Sequence, residues 1–286
     1  MKIIDENKRR KKSRELFLHE KYKNYNMEQL IPVLYGKDRV KRDDAIFSLQ
    51  LIGSNDVFCF SFKLCYSKDK NERKIGLSIL SQLSMTQTQL FKSFDLAESI
   101  LQSERFASVK TAAVNAIGHF CRKNKKFENR AIKLLSKTTY DKSVNTRCAT
   151  AAAFSSVNSN DSIPFLLTLL NDCDGDVRNW AAFTVNFNQY DSTEIRESFI
   201  RMLTDKNDCA RIEAISGLAE RKDNRVITAI INELQKDIIF DEVIISAGVL
   251  GDIKLLPVLK NILNEFNDED VISNIKSAIQ QIIKYN

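Results

Sequence analysis

Eight glycines and three prolines are few for a chain of 286 residues. With helix breakers scarce and 43% of residues hydrophobic, the composition is that of a helix-rich protein with enough apolar surface for a continuous core. Histidine is scarcer still. His19 and His119 stand far apart, which leaves Ser-His-Asp and Cys-His catalytic arrangements and His/Cys metal sites almost nothing to draw on. There is no Gly-rich phosphate loop. No apolar run approaches the ~18 residues that a membrane span requires, and the first thirty residues are charged rather than built as a signal peptide. The expectation is a cytoplasmic protein with no membrane contact. Six cysteines, Cys59, Cys65, Cys121, Cys148, Cys173 and Cys209, form no CxxC pair or Cys/His cluster, which suits a reducing compartment. No metal and no cofactor is expected.

Charge is present but unevenly spread. Residues 1–140 hold 28 Lys+Arg against 15 Asp+Glu, and residues 141–286 hold 15 against 22, so a +13 half precedes a −7 half. The basic excess begins with the run at residues 8–14, read as part of a basic N-terminal capping helix over residues 1–25.

The most informative stretch is residues 171–187, NDCDGDVRNWAAFTVNF. After an acidic turn, Val177, Ala181, Thr184 and Val185 fall on one face of a helix, with small residues set for close packing. The pattern recurs. Arg178-x-x-Ala181 is echoed at Arg42/Ala45, Arg73/Gly76, Lys110/Ala113, Arg147/Thr150 and Arg211/Ala214, and without the cation at Ile244/Ala247 and Ile275/Ala278. The spacing of about 31–37 residues, filled by paired helices, is that of a helical solenoid. The whole of residues 26–286 is read as one array of eight pairs, with first helices near 27–35, 57–66, 91–101, 129–138, 163–170, 194–203, 226–234 and 255–266. The second helices lie near 40–51, 72–83, 109–121, 144–156, 177–187, 210–220, 242–250 and 271–283. Asp38, Asp69, Asp141, Asp174 and Asn207 stand where second helices begin and are read as N-caps. Four of them lie four residues before the repeated cation, a spacing that suits a contact within the turn and a row of cations linking one repeat to the next.

Residues 174–182, DGDVRNWAA, preceded by IPFLLTLL at 163–170, resemble a HEAT repeat of the short bacterial kind also found in bilin-lyase-like proteins. The resemblance implies an all-α, right-handed α-α superhelix of about eight antiparallel helix pairs, a HEAT-like solenoid. HEAT-like arrays serve as scaffolds, binders and occasionally enzymes, so the fold alone names no activity.

In such arrays the second helices line the concave surface. In the fifth pair that face offers Asn179, Trp180, Phe183 and Asn186, with Phe187 extending an aromatic stripe that holds the chain's one tryptophan. In the sixth pair it offers Glu213, Ser216 and Glu220. These residues are the candidate partner-binding set, aromatic anchors beside carboxylates; packing between repeats is the competing reading of the rings. A second surface, basic, draws on Lys41, Lys74, Arg122, Lys123, Lys125 and Lys126, with Arg42, Arg73 and Lys110 assigned either to it or to the inter-repeat row.

The reading is a non-enzymatic bacterial scaffold, monomeric, that binds a protein partner through its concave face, as in neutralising a toxin or controlling another enzyme. The alternatives are nucleic-acid binding through the basic half, in the manner of the HEAT-like alkylpurine DNA glycosylases, and a bilin-lyase-like activity.

Overall fold

In a computed structural model, the structure describes Tyr22 and residues 24–285. The basic run at 8–14, His19 and all but a few residues of the expected capping helix lie outside the described residues. The rest packs as two compact units, 24–165 and 166–285, whose division falls inside one helix.

Among the described residues every regular element is helical, and from Met27 onward sixteen α-helices alternate as first and second members of eight pairs. In order they are α1 (Met27–Leu34) with α2 (Arg39–Ile52), α3 (Asn55–Leu64) with α4 (Lys70–Gln82), α5 (Gln87–Ser103) with α6 (Ala107–Lys123), and α7 (Glu128–Thr138) with α8 (Val144–Phe154). Then come α9 (Ile163–Leu170) with α10 (Gly175–Phe187), α11 (Thr193–Met202) with α12 (Asp208–Glu220), α13 (Ile227–Leu234) with α14 (Asp241–Leu250), and α15 (Leu256–Ile262) with α16 (Glu269–Tyr285). Each begins and ends within a few residues of the span read from the sequence; the largest differences are a longer α5 and an α15 that stops at Ile262.

The repeated small residue explains how the pairs stack. Ala45, Ala113, Thr150, Ala181, Ala214 and Ala247 are fully buried, Ala278 is nearly so, and Gly76 is buried at the same register. A short side chain there lets one second helix approach its neighbours closely, in interiors as dense as organic crystals. Gly76 is the extreme case: a Cβ would stand 2.6 Å from the Ser61 carbonyl oxygen and 2.8 Å from the Cys65 sulfur.

Second helices start where short polar side chains accept bonds from otherwise unpaired amides. Asp38 accepts from Val40 and Lys41, Asp69 from Asn71, Asp174 from Asp176 and Val177, and Asn207 from Ala210. Asp141 departs from the expectation. Ser143 caps α8, while Asp141 sits two residues earlier, accepting from the Ser143 amide and from Lys110 Nζ.

The repeated cation also has a different partner from the one its spacing suggests. With their side-chain oxygens accepting from helix amides, the caps leave the arginines to bond the backbone carbonyl six residues back. Arg42 donates to Gly36 at 3.3 Å, Arg73 to Ser67 at 2.9 Å, Arg147 to Asp141 at 3.0 Å, Arg178 to Asp172 at 2.6 Å and Arg211 to Asp205 at 2.6 Å. The remaining guanidinium nitrogens reach a carboxylate of the following pair: Arg73 bonds Glu104 at 2.8 Å, Arg178 grips Asp205 with two 2.6 Å bonds, and Arg211 bonds Glu233 at 2.6 Å. Lys110 makes the corresponding contact with Asp141 at 3.1 Å. This charged ladder links successive pairs within each unit.

Candidate partner-binding face

Helix α10 carries the aromatic stripe, and its composition dictates which side faces out. Val177, Ala181, Ala182, Thr184 and Val185 take the buried side. At this period Trp180, Phe183 and Phe187 fall on the other side, and they are 42%, 38% and 64% exposed. The rings are therefore not consumed by packing between repeats. They contact one another instead, Trp180 edge-on to Phe183 with centroids 5.8 Å apart and Phe183 stacked on Phe187 at 5.9 Å. Large aromatic side chains left this open on a folded chain mark a surface that another molecule can desolvate.

The polar members of the candidate set separate into two groups. Asn186 is a strut: its Nδ2 donates to the Glu213 carbonyl at 2.9 Å and the Glu213 carboxylate at 3.2 Å, and its Oδ1 accepts from Arg221 Nη1 at 3.0 Å. Ser216 shares a 3.1 Å hydroxyl contact with Ser246 of α14. These two tie second helices together rather than standing free for a partner. Glu213 is half-buried beside Asn186, Asn179 is half-buried, and Glu220 is exposed.

Arg221 is a neighbour of this face that the repeat pattern did not signal, since among the other copies only Lys254 puts a cation at its register. Its guanidinium donates to the Tyr190 and Gly217 carbonyls at 3.1 and 2.7 Å, reaches Asn186, and lies 5.2 Å over the Phe199 ring. It joins the end of α12 to the turn after α10 and thereby fixes where Phe187 projects. Burial pulls its pKa down, with Asp191 and Glu220 acting in the opposite sense. Gly217 leaves room for this arrangement, since a Cβ there would stand 2.4 Å from Asn186 Oδ1 and 2.5 Å from the Phe199 ring.

The basic candidates of residues 24–165 are spread over different tasks. Lys41 pairs with Asp38 at 3.5 Å and Lys125 with Glu128 at 2.9 Å, Arg122 donates to Ser156 at 3.3 Å, and Lys123 Nζ donates to the Ser81 and Leu83 carbonyls at 3.3 and 2.8 Å. Burial holds the Lys123 ammonium below its usual pKa. Lys74 and Lys126 are exposed. Arg73 and Lys110 belong to the ladder.

Elsewhere the chemistry is quiet. His119 is half-buried on α6, its pKa lowered first by burial and then by Arg122 and Lys123. Cys65 and Cys121 are buried, and burial pushes both thiols up to about 12, while Cys59, Cys173 and Cys209 are exposed. Among the described residues no group of three or more His, Cys, Asp or Glu side chains is placed to hold a metal ion, and no helix is long and apolar enough to cross a membrane.

Stacked antiparallel pairs, a buried small residue in every second helix and a cation bonded back into its own turn define a helical-repeat protein. The family pattern described as HEAT repeats matches residues 94–186, from α5 into α10. Protein YibA of Escherichia coli strain K12 is 38% identical over 274 residues, covering 96% of this chain and 97% of YibA. The X-ray structure of the E. coli protein superposes with a TM-score of 0.78 at 37% identity, covering 94% of this chain and 97% of that one. The complex of CpcE and CpcF of phycocyanin lyase from Nostoc sp. PCC7120 aligns at 16% identity with a TM-score of 0.48, over 91% of this chain and 95% of that one. The chain belongs to the HEAT-repeat family that includes YibA.

Proposed function

We propose that this protein is a non-enzymatic scaffold that binds a partner protein through the face presented by its second helices, with Trp180, Phe183 and Phe187 as the central anchors. The observation that carries this reading is the exposure of a row of three aromatic rings, each in contact with the next, on one helix whose other side is packed. Aromatic side chains bury large areas with few rotatable bonds, which is why they dominate binding hot spots. The frame that holds them is tied down, because Asn186 of α10 donates to Glu213 of α12 and accepts from Arg221 at the end of α12. A pre-organised ridge of this kind loses little conformational entropy when it is covered.

The test is capture from lysate with the wild-type chain and a W180A/F183A variant, with and without nuclease and at two salt concentrations. A discrete protein retained by the wild type and lost by the variant, whose helical circular dichroism is unchanged, is the expected result. Truncation of a hot-spot aromatic weakens binding by about 2 kcal/mol or more, roughly 30-fold. A protein captured equally by both chains, or nucleic acid recovered in its place and released by salt, counts against the ridge.

A further inference from the structure

We propose a second docking surface, on residues 24–165, where the turns joining first to second helices form one cationic edge that holds an extended acidic segment of a partner protein. The aromatic ridge lies in the other unit, and neither surface depends on the other. Register, continuity and charge lead to this edge.

Seven residues before the anchors Arg42, Arg73 and Arg147 stand Tyr35, Tyr66 and Tyr140, each more than half exposed. Two residues further on, every pair of this unit has an exposed cation: Lys37, Lys68, Arg105 and Lys142. The frame requires neither. In residues 166–285 the same two places hold Asn171 and Cys173, Thr204 and Lys206, Asp237 and Ile239, and Asp268 and Asp270. Arg178 and Arg211 nevertheless bond back into their turns as Arg73 does.

The four turns touch in order. The Tyr35 hydroxyl donates to Glu72, Arg73 bonds Glu104 while Lys70 lies 4.9 Å over the Phe106 ring, and Lys110 bonds Asp141. Helix pairs packed in this way set equivalent residues about 8–10 Å apart. A polyproline-type segment advances about 9 Å in three residues and returns to the same side, so a carboxylate at every third position meets one cation per turn. Exposed tyrosine rings beside those cations suit the apolar residues between the carboxylates, as aromatic-lined grooves do for such segments.

Over the eight residues ending at each anchor, these four turns carry 11 Lys+Arg against 5 Asp+Glu, and the four turns of residues 166–285 carry 3 against 11. The five carboxylates of the basic edge are taken up by the frame. Asp38 and Asp69 cap helices, Asp38 also pairing with Lys41, while Glu72 holds Tyr35, Glu104 bonds Arg73 and Asp141 bonds Lys110. The ammonium groups of Lys37, Lys68 and Lys142 have no hydrogen bond or ion pair among the described residues. A nucleic-acid strand, with a phosphate on every nucleotide, sets anions against the frame's carboxylates as well as the cations. An acidic segment with one carboxylate per turn meets the cations alone.

The test is fluorescence anisotropy of three dye-labelled probes against the full chain: a peptide of four Glu-Pro-Pro units, its Gln-Pro-Pro counterpart, and a single strand of thymidine nucleotides. The expected result is saturable binding of the glutamate peptide that weakens as salt rises, and none of the glutamine peptide. K37A/K68A/K142A weakens binding about tenfold, as the loss of three exposed pairs together would. K92A/K133A/K276A removes the same charge from exposed helix positions off these turns and leaves binding within about twofold. Both variants are checked for unchanged helical circular dichroism. Equal weakening by the two variants, equal binding of the glutamine peptide, or no saturable binding at low salt overturns the proposal. A thymidine strand that binds more tightly than the glutamate peptide and is lost in K37A/K68A/K142A assigns the edge to nucleic acid and overturns it too. Salt-sensitive self-association of the chain, abolished by the same variant, assigns the edge to a second copy instead. None of these readings passes through Trp180, so capture by the ridge stands or falls separately.

Discussion

In residues 24–165 the ladder position on α6 is Lys110, whose ammonium makes one 3.1 Å contact with Asp141; in residues 166–285 the same position on α10 is Arg178, which bonds the Asp172 carbonyl and grips Asp205 with two more nitrogens. The aspartates differ too, the side chain of Asp141 being 14% exposed and that of Asp205 only 4%. One repeat frame therefore carries two grades of cross-link. The outer faces of the second helices diverge in the same way. At the registers of Trp180, Phe183 and Phe187, α6 has the buried Ala112, the exposed Asn115 and the half-buried His119, and α8 and the turn after it have the buried Ala149, the half-buried Ala152 and the buried Ser156, whereas α2 exposes Phe47 and Leu51. On α6 and α8 these registers hold only small and polar side chains, half of them buried, so those two helices carry no aromatic ridge. The comparison teaches that the buried side of a repeat is constrained by stacking, while its outer side is free to specialise.

The largest effect should come from breaking the ladder. Arg178→Ala leaves the Asp205 carboxylate nearly buried with the Asn207 amide as its remaining strong partner, and loss of one member of such a pair costs about 2–4 kcal/mol. Lys110→Ala, on a more open pair, should cost about 1 kcal/mol or less. Urea unfolding of the full chain, with hydrogen exchange to locate the loss on α10 and α12 or on α6 and α8, measures the difference; equal costs would mean that the fork geometry adds nothing.

Acid should sharpen the same contrast. Burial alone would raise the Asp205 pKa, but the Arg178 guanidinium and the Asn207 amide together hold it below the usual carboxylate value. Asp191 and Asp223 are lowered chiefly by Arg196 and Arg225. A carboxylate with a depressed pKa in the folded state contributes stability that is present above its unfolded value near 4 and is lost as pH falls through the folded value. Protection of the α10 and α12 amides should therefore drop between about pH 5 and 3, and Asp205→Asn should flatten that dependence while lowering stability at neutral pH. A slope unchanged by Asp205→Asn would show that this carboxylate does not carry it.

The smallest effect separates a cap from its neighbour. Asp174→Ala removes the acceptor for the Asp176 and Val177 amides and should cost about 1 kcal/mol. Asp141→Ala leaves the α8 cap to Ser143 and should cost less through capping, whereas Ser143→Ala should cost about as much as Asp174→Ala. Thermal unfolding of the three variants orders them.

The eight pairs, their boundaries and the stacking residue were all legible in the sequence, because close packing of second helices demands a small side chain once per repeat and the demand leaves a periodic trace. Four of five expected caps hold for the related reason that a helix start needs a short acceptor. Asp141 misled because its spacing to the next helix is two residues too long, with Ser143 intervening. The arginine's carbonyl six residues back was not legible, since backbone groups leave no mark in a side-chain pattern.

The candidate face divides along the same line. That Trp180, Phe183 and Phe187 share one side of a helix follows from a period of 3.6 residues and needs no structure. Whether that side meets a neighbouring repeat or solvent depends on the angle at which α10 is set against α12, and that angle is fixed by contacts between residues far apart in sequence: Asn186 with Glu213, Arg221 with Tyr190, and Gly217 with Phe199. Local patterning determined which side chains travel together. Only tertiary packing decided that these rings face outward, that Asn186 and Ser216 are spent holding helices together, and that the carboxylate of Glu213 lies beside an aromatic ridge.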